Sequence, residues 1–173
     1  MAHFLATLDS PASAAATFAY LADFAHCAAW DPTVAAARRI GRGAIGEGSR
    51  FEVVLAAGPI ELPFTYRVTR YEPPRRLVLE AAGRWLRSLD RIEIEPHGRG
   101  CRVRYDADLR WLGPAYLLDT PTHLLFQLSG RRSAHGLERA LARLARDDED
   151  SKAERGPRRR RPATKSRVRA GAA

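Results

Sequence analysis

The chain has 173 residues, 45% of them hydrophobic, which suffices for one domain with a real core and excludes a chain disordered throughout. Nowhere do eighteen consecutive apolar residues occur, and the opening MAHFLATLDSPAS has no basic stretch followed by a long apolar run, so neither a membrane span nor a secretion leader is expected; the expected location is cytoplasmic. The net charge of +9 is uneven: from Ser151 onward nine basic residues meet one acid, leaving about +1 on residues 1–150, so the basic character belongs to the tail and not to the domain.

In chain order, FLATLDS alternates as a strand does, and Ser10 is the expected N-cap of a helix with Pro11 at its first position, where the missing N–H costs nothing. Asp23 is placed to cap a second short helix through FAHCAAW. Pro32 pushes Asp31 out of helical geometry, so that helix should end at Trp30 or Asp31. A surface corner is therefore expected at Trp30-Asp31-Pro32, with Asp31 making a capping or loop hydrogen bond and doing no acid catalysis.

From Val34 to Trp111 the pattern becomes extended runs separated by turn clusters, which predicts strands near 33–41, 49–57, 60–71, 76–82, 86–95 and 100–110 in an antiparallel meander. GAIGEG lies between two of these strands with no helix after it, so it reads as a hairpin turn and not as a phosphate loop. Alternation puts Leu62, Phe64, Tyr66 and Val68 on one face with Leu77, Leu79 and Ala81, and closing that hairpin at Glu72-Pro73-Pro74-Arg75 sets Arg67 opposite Glu80. In the next hairpin Ser88, Asp90, Ile92 and Ile94 share the apolar face with Cys101, Val103, Tyr105, Ala107 and Leu109, in a register that sets Asp90 opposite Tyr105. Beyond RWLGPAY the period turns helical, and Phe126, Gly130, Ala134, Leu137, Leu141 and Leu144 follow one stripe. The acids at 147–150 suit a helix C-terminus poorly, and Gly156-Pro157 and Pro162 follow, so order is expected to end near residue 150. The division is a domain over residues 1–147 and a disordered basic tail over 148–173.

The residue types exclude several chemistries. Cys27 and Cys101 belong to no CxxC or Cys/His cluster and are expected as free thiols. His3, His26, His97, His123 and His135 show no HxH or HExxH spacing, so no metal and no cofactor is expected. Ser129-Gly130 is no nucleophile elbow, and neither cysteine has an evident base.

Taken together, WDP after two small helices, GEGSRFEV, YEPPRRLVLEAAG, the run from Asp90 to Arg110 and GLERAL in the last helix resemble the START-like superfamily called SRPBCC, especially its polyketide cyclase/dehydrase and lipid-transport branch. The resemblance implies an α+β helix-grip fold, a curved antiparallel sheet in the order β-α-α-β6-α wrapped around a long C-terminal helix, with a cavity between them. It further implies a hydrophobic small-molecule ligand and, in some members, cyclisation, aromatisation or dehydration of polyketides. On the concave face the candidate ligand wall is Phe51, Val53, Phe64, Tyr66, Leu77, Leu79, Asp90, Ile92, Val103 and Tyr105, with Phe126 from the helix and Trp30 as a wall or gate at the mouth.

Asp90 is the most informative of these, because an inward carboxyl beside Ile92 and Ile94 is desolvated and must be hydrogen-bonded or protonated. With Tyr66, Tyr105 and His123 it forms the candidate catalytic set; the competing role is an anchor at the cavity end, held by backbone or by an arginine such as Arg70. Three functions stand side by side: binding of a hydrophobic or aromatic molecule without catalysis, polyketide cyclase, aromatase or dehydratase activity, and an interaction module whose tail contacts nucleic acid or anionic membrane. Burying roughly 300 Å² of apolar ligand surface at about 25 cal/mol/Å² gains on the order of 7 kcal/mol before association costs, which points to micromolar binding or weaker.

Overall fold

The computed structural model describes residues 2–57, 60–83, 86–112 and 119–154, and within the last helix the side chains of residues 130–149. Strands β1 (Ala2–Ser10), β2 (Val34–Ile40), β3 (Arg50–Ala57), β4 (Ile60–Glu72), β5 (Arg76–Ala82), β6 (Leu86–His97) and β7 (Gly100–Trp111) form one antiparallel sheet in the order β1-β7-β6-β5-β4-β3-β2. Helix α1 (Ala14–Ala22), a 3₁₀ turn (Phe24–His26) and helix α2 (Cys27–Trp30) connect β1 to β2. Helix α3 (Asp119–Glu154) packs against β1, α2 and α1, gripped by the curled sheet.

The alternation that predicts the strands is the one that builds the core. Phe51, Val53, Val68, Leu77, Leu79, Ile92, Ile94 and Val103 are at most 2% exposed, while their strand neighbours Thr65, Arg67, Glu80 and Arg102 face solvent. The outer face carries directly opposed charges: Arg38 on Glu52 at 2.7 Å, Arg76 on Glu93 at 2.7 Å and Arg102 on Asp9 at 2.9 Å. The GAIGEG segment is a hairpin connection, with Gly48 at φ +82° donating its N–H to the Val68 carbonyl at 2.8 Å.

Arg67 does stand opposite Glu80, but the turn is one residue longer than expected, spanning Pro73 to Arg75 with Glu72 facing Arg76. A bulge at Thr69 absorbs the extra residue and turns Tyr71 inward, where it meets Phe18 edge-on at 5.2 Å. In the β6–β7 hairpin the expected register is off by two: Asp90 faces Ala107, and Ile92 faces Tyr105. The strands run on to His97 and Gly100 and close through Gly98 at φ +58°, a conformation glycine takes without cost. A two-residue slip preserves the face, so Asp90 still points inward.

The start of α1 is also corrected. Ser10 stays paired with Cys101 as the last residue of β1, and the helix begins at Ala14 with Ser13 as N-cap, its hydroxyl accepting from the Ala16 N–H at 3.2 Å. The Ser10 hydroxyl instead meets that of Thr17 at 2.9 Å in a buried group joined by the Cys101 thiol. Asp23 caps the 3₁₀ turn through the Ala25 N–H, and α2 ends at Trp30 with Asp31 extended, as Pro32 requires.

Along α3 the residues Gly130, Ser133, Leu137, Leu141 and Ala145 are buried and Ala134 and Leu144 half-buried, which is the expected stripe; the side chain of Phe126 lies outside the described residues. The helix continues to Glu154, past the expected end near residue 150. The acids at 147–150 precede the final turn, where the dipole acts most strongly. The tail from residue 155 lies outside the described residues. Cys27 and Cys101 are free, buried thiols, and among the described residues no helix is long and apolar enough to cross a membrane.

Candidate functional site

The concave face is divided between packed core and open space. Over one half, α1 and the 3₁₀ turn lay Phe18 and Phe24 onto the sheet, Phe24 meeting Phe51 at 6.3 Å and Tyr66 at 5.0 Å between ring centres. Phe51, Leu77, Leu79, Ile92 and Val103, expected on the ligand wall, belong to this packed half and do not line the cavity. Strand period alone cannot tell the two halves apart, because both need large apolar side chains.

Under the N-terminal part of the described stretch of α3 the packing opens into a cavity of about 200 Å³. Trp30, Val53, Phe64, Tyr66, Asp90 and Tyr105 line it as the sequence suggests. So do Ser88 and Leu137, which the sequence places on inward faces, and residues that sequence reasoning missed: Phe4, Ala6 and Leu8 of β1, Cys27 and Asp31 at the helical corner, and Ser133 of α3. The alternation of Phe4, Ala6 and Leu8 is a usable signal for β1. Ser133 falls one residue before Ala134 on the α3 stripe. Nothing local marks the rest, since they meet only through the fold. Trp30 stands edge-on to Tyr105 at 5.9 Å, so the indole forms one wall.

Among the polar lining groups, Asp90, Tyr66 and Ser88 interact with one another. Asp90 is 5% exposed, and burial raises its carboxyl to about 8; the charge of Asp31 pushes the same way, while the Tyr66 hydroxyl draws it partly back. At neutral pH Asp90 is therefore mostly a neutral acid, able to donate a proton or a hydrogen bond. Burial likewise raises the Tyr66 and Tyr105 phenols, reinforced by the nearby Asp90, with a hydrogen bond to Ser88 opposing the rise at Tyr66. Burial pushes the Cys27 thiol up to about 12, with Asp31 and Asp90 adding to it, so no thiolate nucleophile stands there. The anchor role suggested for Arg70 is not realised: its guanidinium is exposed and pairs with Glu72 at 2.7 Å.

Asp31 makes the loop hydrogen bonds expected of it and one that local sequence does not announce. Its Oδ1 accepts from the Thr33 N–H at 2.9 Å and the Thr33 hydroxyl at 2.7 Å, closing the corner after Pro32. The same oxygen accepts from the Ser133 hydroxyl at 2.9 Å, which ties the corner to α3 across the cavity mouth. One turn further along, Gly136 rests against the Trp30 carbonyl so closely that a Cβ would collide with it. Asp31 is thus half-buried on the cavity wall and not at an open surface turn.

Of the remaining candidates, the side chain of His123 lies outside the described residues. His135 is exposed and pairs with Glu138 at 3.2 Å, away from the cavity. On the convex face the ligating atoms of His3, Asp106 and Asp108 lie within 4.8 Å of one another. Arg91 already supplies a cation there, 3.0 Å from Asp108 and 3.7 Å from Asp106.

The sequence matches the family described as polyketide cyclase / dehydrase and lipid transport over residues 1–147. No curated protein sequence matches it. Among solved structures, the chain is similar to the protein TTHA0849 from Thermus thermophilus, with a TM-score of 0.65 and 17% identity over 81% of this chain and 95% of that one. It is also similar to NE0264 from Nitrosomonas europaea (TM-score 0.57, 13% identity, 86% and 97% covered). A START superfamily protein from Mycobacterium smegmatis gives a TM-score of 0.54 and 19% identity, with 75% and 95% covered. At such identities the likeness is one of fold.

Proposed function

Because the chain belongs to the polyketide cyclase / dehydrase and lipid transport family of START-like proteins, we propose that it binds a hydrophobic or aromatic small molecule in the cavity between the sheet and α3. The observation that carries this reading is a cavity of about 200 Å³ with mostly apolar walls, into which Asp90, Tyr66 and Ser88 bring a small polar group. Apolar walls favour ring or chain carbons, and the neutral Asp90 carboxyl with the Tyr66 and Ser88 hydroxyls suits a ligand carbonyl or hydroxyl. An apolar cavity of about 150 Å³ takes up benzene, so this one suits one or two fused rings or a chain of similar bulk.

A second reading is favoured by the same Asp90. A carboxyl that keeps its proton to about pH 8 beside a phenol can act as a general acid, as ring closure or dehydration of a poly-β-keto chain requires. Asp31, which lines the same cavity and is held by Thr33 and Ser133, is the candidate to receive a proton.

The test is titration with 2-naphthol, followed through Trp30 emission in a Trp85→Phe/Trp111→Phe variant. Saturable change with micromolar affinity is expected; no saturable change, together with no rise in melting temperature, would remove the binding reading. The two readings separate on Asp90→Asn. Binding that survives this change, with no product formed from poly-β-keto thioesters by the native protein, leaves binding alone.

A further inference from the structure

A second hollow adjoins the first. Trp30, Asp31, Val34 and Ala134 line both, so they form the partition between the apolar cavity and a solvent-open groove of about 1140 Å³ running along α3. One side of the groove is Tyr20 and the α2 corner; the other is α3, which contributes Arg131, Arg132, Arg139 and Arg143. Arg132, Arg139 and Arg143 recur at helical spacing, so their guanidinium groups share one face.

Arginines without an ion pair are not confined to the groove, since among the described residues Arg50, Arg104 and Arg110 have none either; what sets these four apart is that they line one concave wall. On the sheet's outer face Arg38, Arg76, Arg91 and Arg102 each meet a carboxylate at 3.0 Å or less. Among the described residues none of the four groove arginines is in an ion pair with an acid. Glu138 is engaged by His135, and the Arg139 Nε–H donates only to the His135 carbonyl at 3.3 Å. Among the described residues two acids line the groove, Asp147 and Asp31, and the Asp31 Oδ1 is already occupied by Thr33 and Ser133. A concave, cationic wall with unpaired guanidinium forks is the surface a carboxylate or phosphate recognises. Its position against the mouth of an apolar cavity adds that the anion and the apolar group belong to one molecule.

We infer that the ligand is an anionic amphiphile whose carboxylate or phosphate head lies on Arg139 and Arg143 in the groove, while its apolar part passes Trp30 into the cavity. This rests on the reading that the cavity takes a ligand, and it adds the ligand's charge and direction of entry. Trp30 is the gate in this arrangement, since it has the largest side chain of the four residues that line both the cavity and the groove.

Calorimetric titration with three ten-carbon probes, decanoate, decyl phosphate and 1-decanol, tests it. One or both anions should bind the native protein at least roughly tenfold more tightly than the alcohol, and the tighter of the two identifies the head group. Arg139→Gln/Arg143→Gln should erase that preference while leaving 1-decanol binding unchanged, which also shows the variant to be folded. Arg146→Gln, on the same helix outside the groove, should keep it. Independently of any variant, raising salt from about 20 to about 500 mM should weaken the anions and spare the alcohol. Equal binding of all three probes, or a preference that survives the double change, overturns the inference, as does failure of all three with 2-naphthol still bound. If 2-naphthol fails as well, the cavity reading falls and takes the inference with it.

Discussion

Asp90 concentrates the chemistry of the site in one side chain, and its burial has a measurable cost. Below about pH 4 both the folded and the unfolded carboxyl hold a proton. Between the ordinary value of 3.8 and about 8 the unfolded chain releases it and the folded one keeps it, so folding stability falls as pH rises, on the order of 1.4 kcal/mol per unit. Above about pH 8 both are ionised and the fall levels off. Asp90→Asn imitates the neutral acid at every pH, so its stability advantage over the native protein should grow from pH 5 to pH 8 and then stay constant. Urea unfolding at pH 5, 7 and 9 measures this; parallel stabilities across the range would show that Asp90 is solvated. Asp31 offers a smaller test. Ser133→Ala removes one of its three hydrogen bonds and should cost about 1 kcal/mol, a melting shift of roughly 2–4 °C.

At the scale of elements, the contact between α2 and α3 sets the width of the cavity mouth. Replacing a helical glycine by alanine ordinarily stabilises by about 1 kcal/mol. At Gly136 a Cβ meets the Trp30 carbonyl, and backbone cannot swing aside as a side chain can, so Gly136→Ala should lower the melting temperature. The sign of the change decides between propensity and packing. The elements themselves are legible where a local rule governs them: the six strands of the meander by alternation, the end of α2 by Pro32, and the start of the second helical segment by Asp23, although that segment divides into a 3₁₀ turn and α2 where one helix is expected. Sequence misleads where the partner strand decides. Ser10 has the chemistry of an N-cap, yet pairing with Cys101 holds it in β1 and leaves the cap to Ser13. The register that sets Asp90 opposite Tyr105 fails because nothing in the sequence weighs a two-residue turn at Gly98-Arg99 against a longer one.

For the whole molecule, the cavity exists because the helical elements cover only part of the concave face. Filling it should therefore remove binding without unfolding the protein. Ala107 is buried on the cavity wall directly across from Asp90, and Ala107→Leu is expected to abolish the 2-naphthol response while changing stability by less than about 2 kcal/mol. A collapse of the fold instead would mean that this part of the interior has no spare volume. The tail is a separate matter. Removing residues 155–173 deletes eight basic residues and no acid, and should leave melting temperature and 2-naphthol binding unchanged while easing elution from heparin. Unchanged heparin retention would eliminate the tail as a contact for nucleic acid or anionic surfaces.

The sequence by itself determined the element order, the inward face of each meander strand and the inward carboxyl at Asp90, because side-chain direction along a strand follows from a period of two and survives a two-residue error in register. Only the tertiary structure decided which inward residues surround open space. Phe51, Leu77, Leu79, Ile92 and Val103 carry the same pattern as Val53, Phe64 and Tyr66, and what separates them is where α1, the 3₁₀ turn and α3 come to rest on the sheet. It also decided the fate of the Trp30-Asp31-Pro32 corner. Proline fixes the local backbone, whereas the bond from Ser133 spans 102 residues, and no local pattern encodes a contact of that separation.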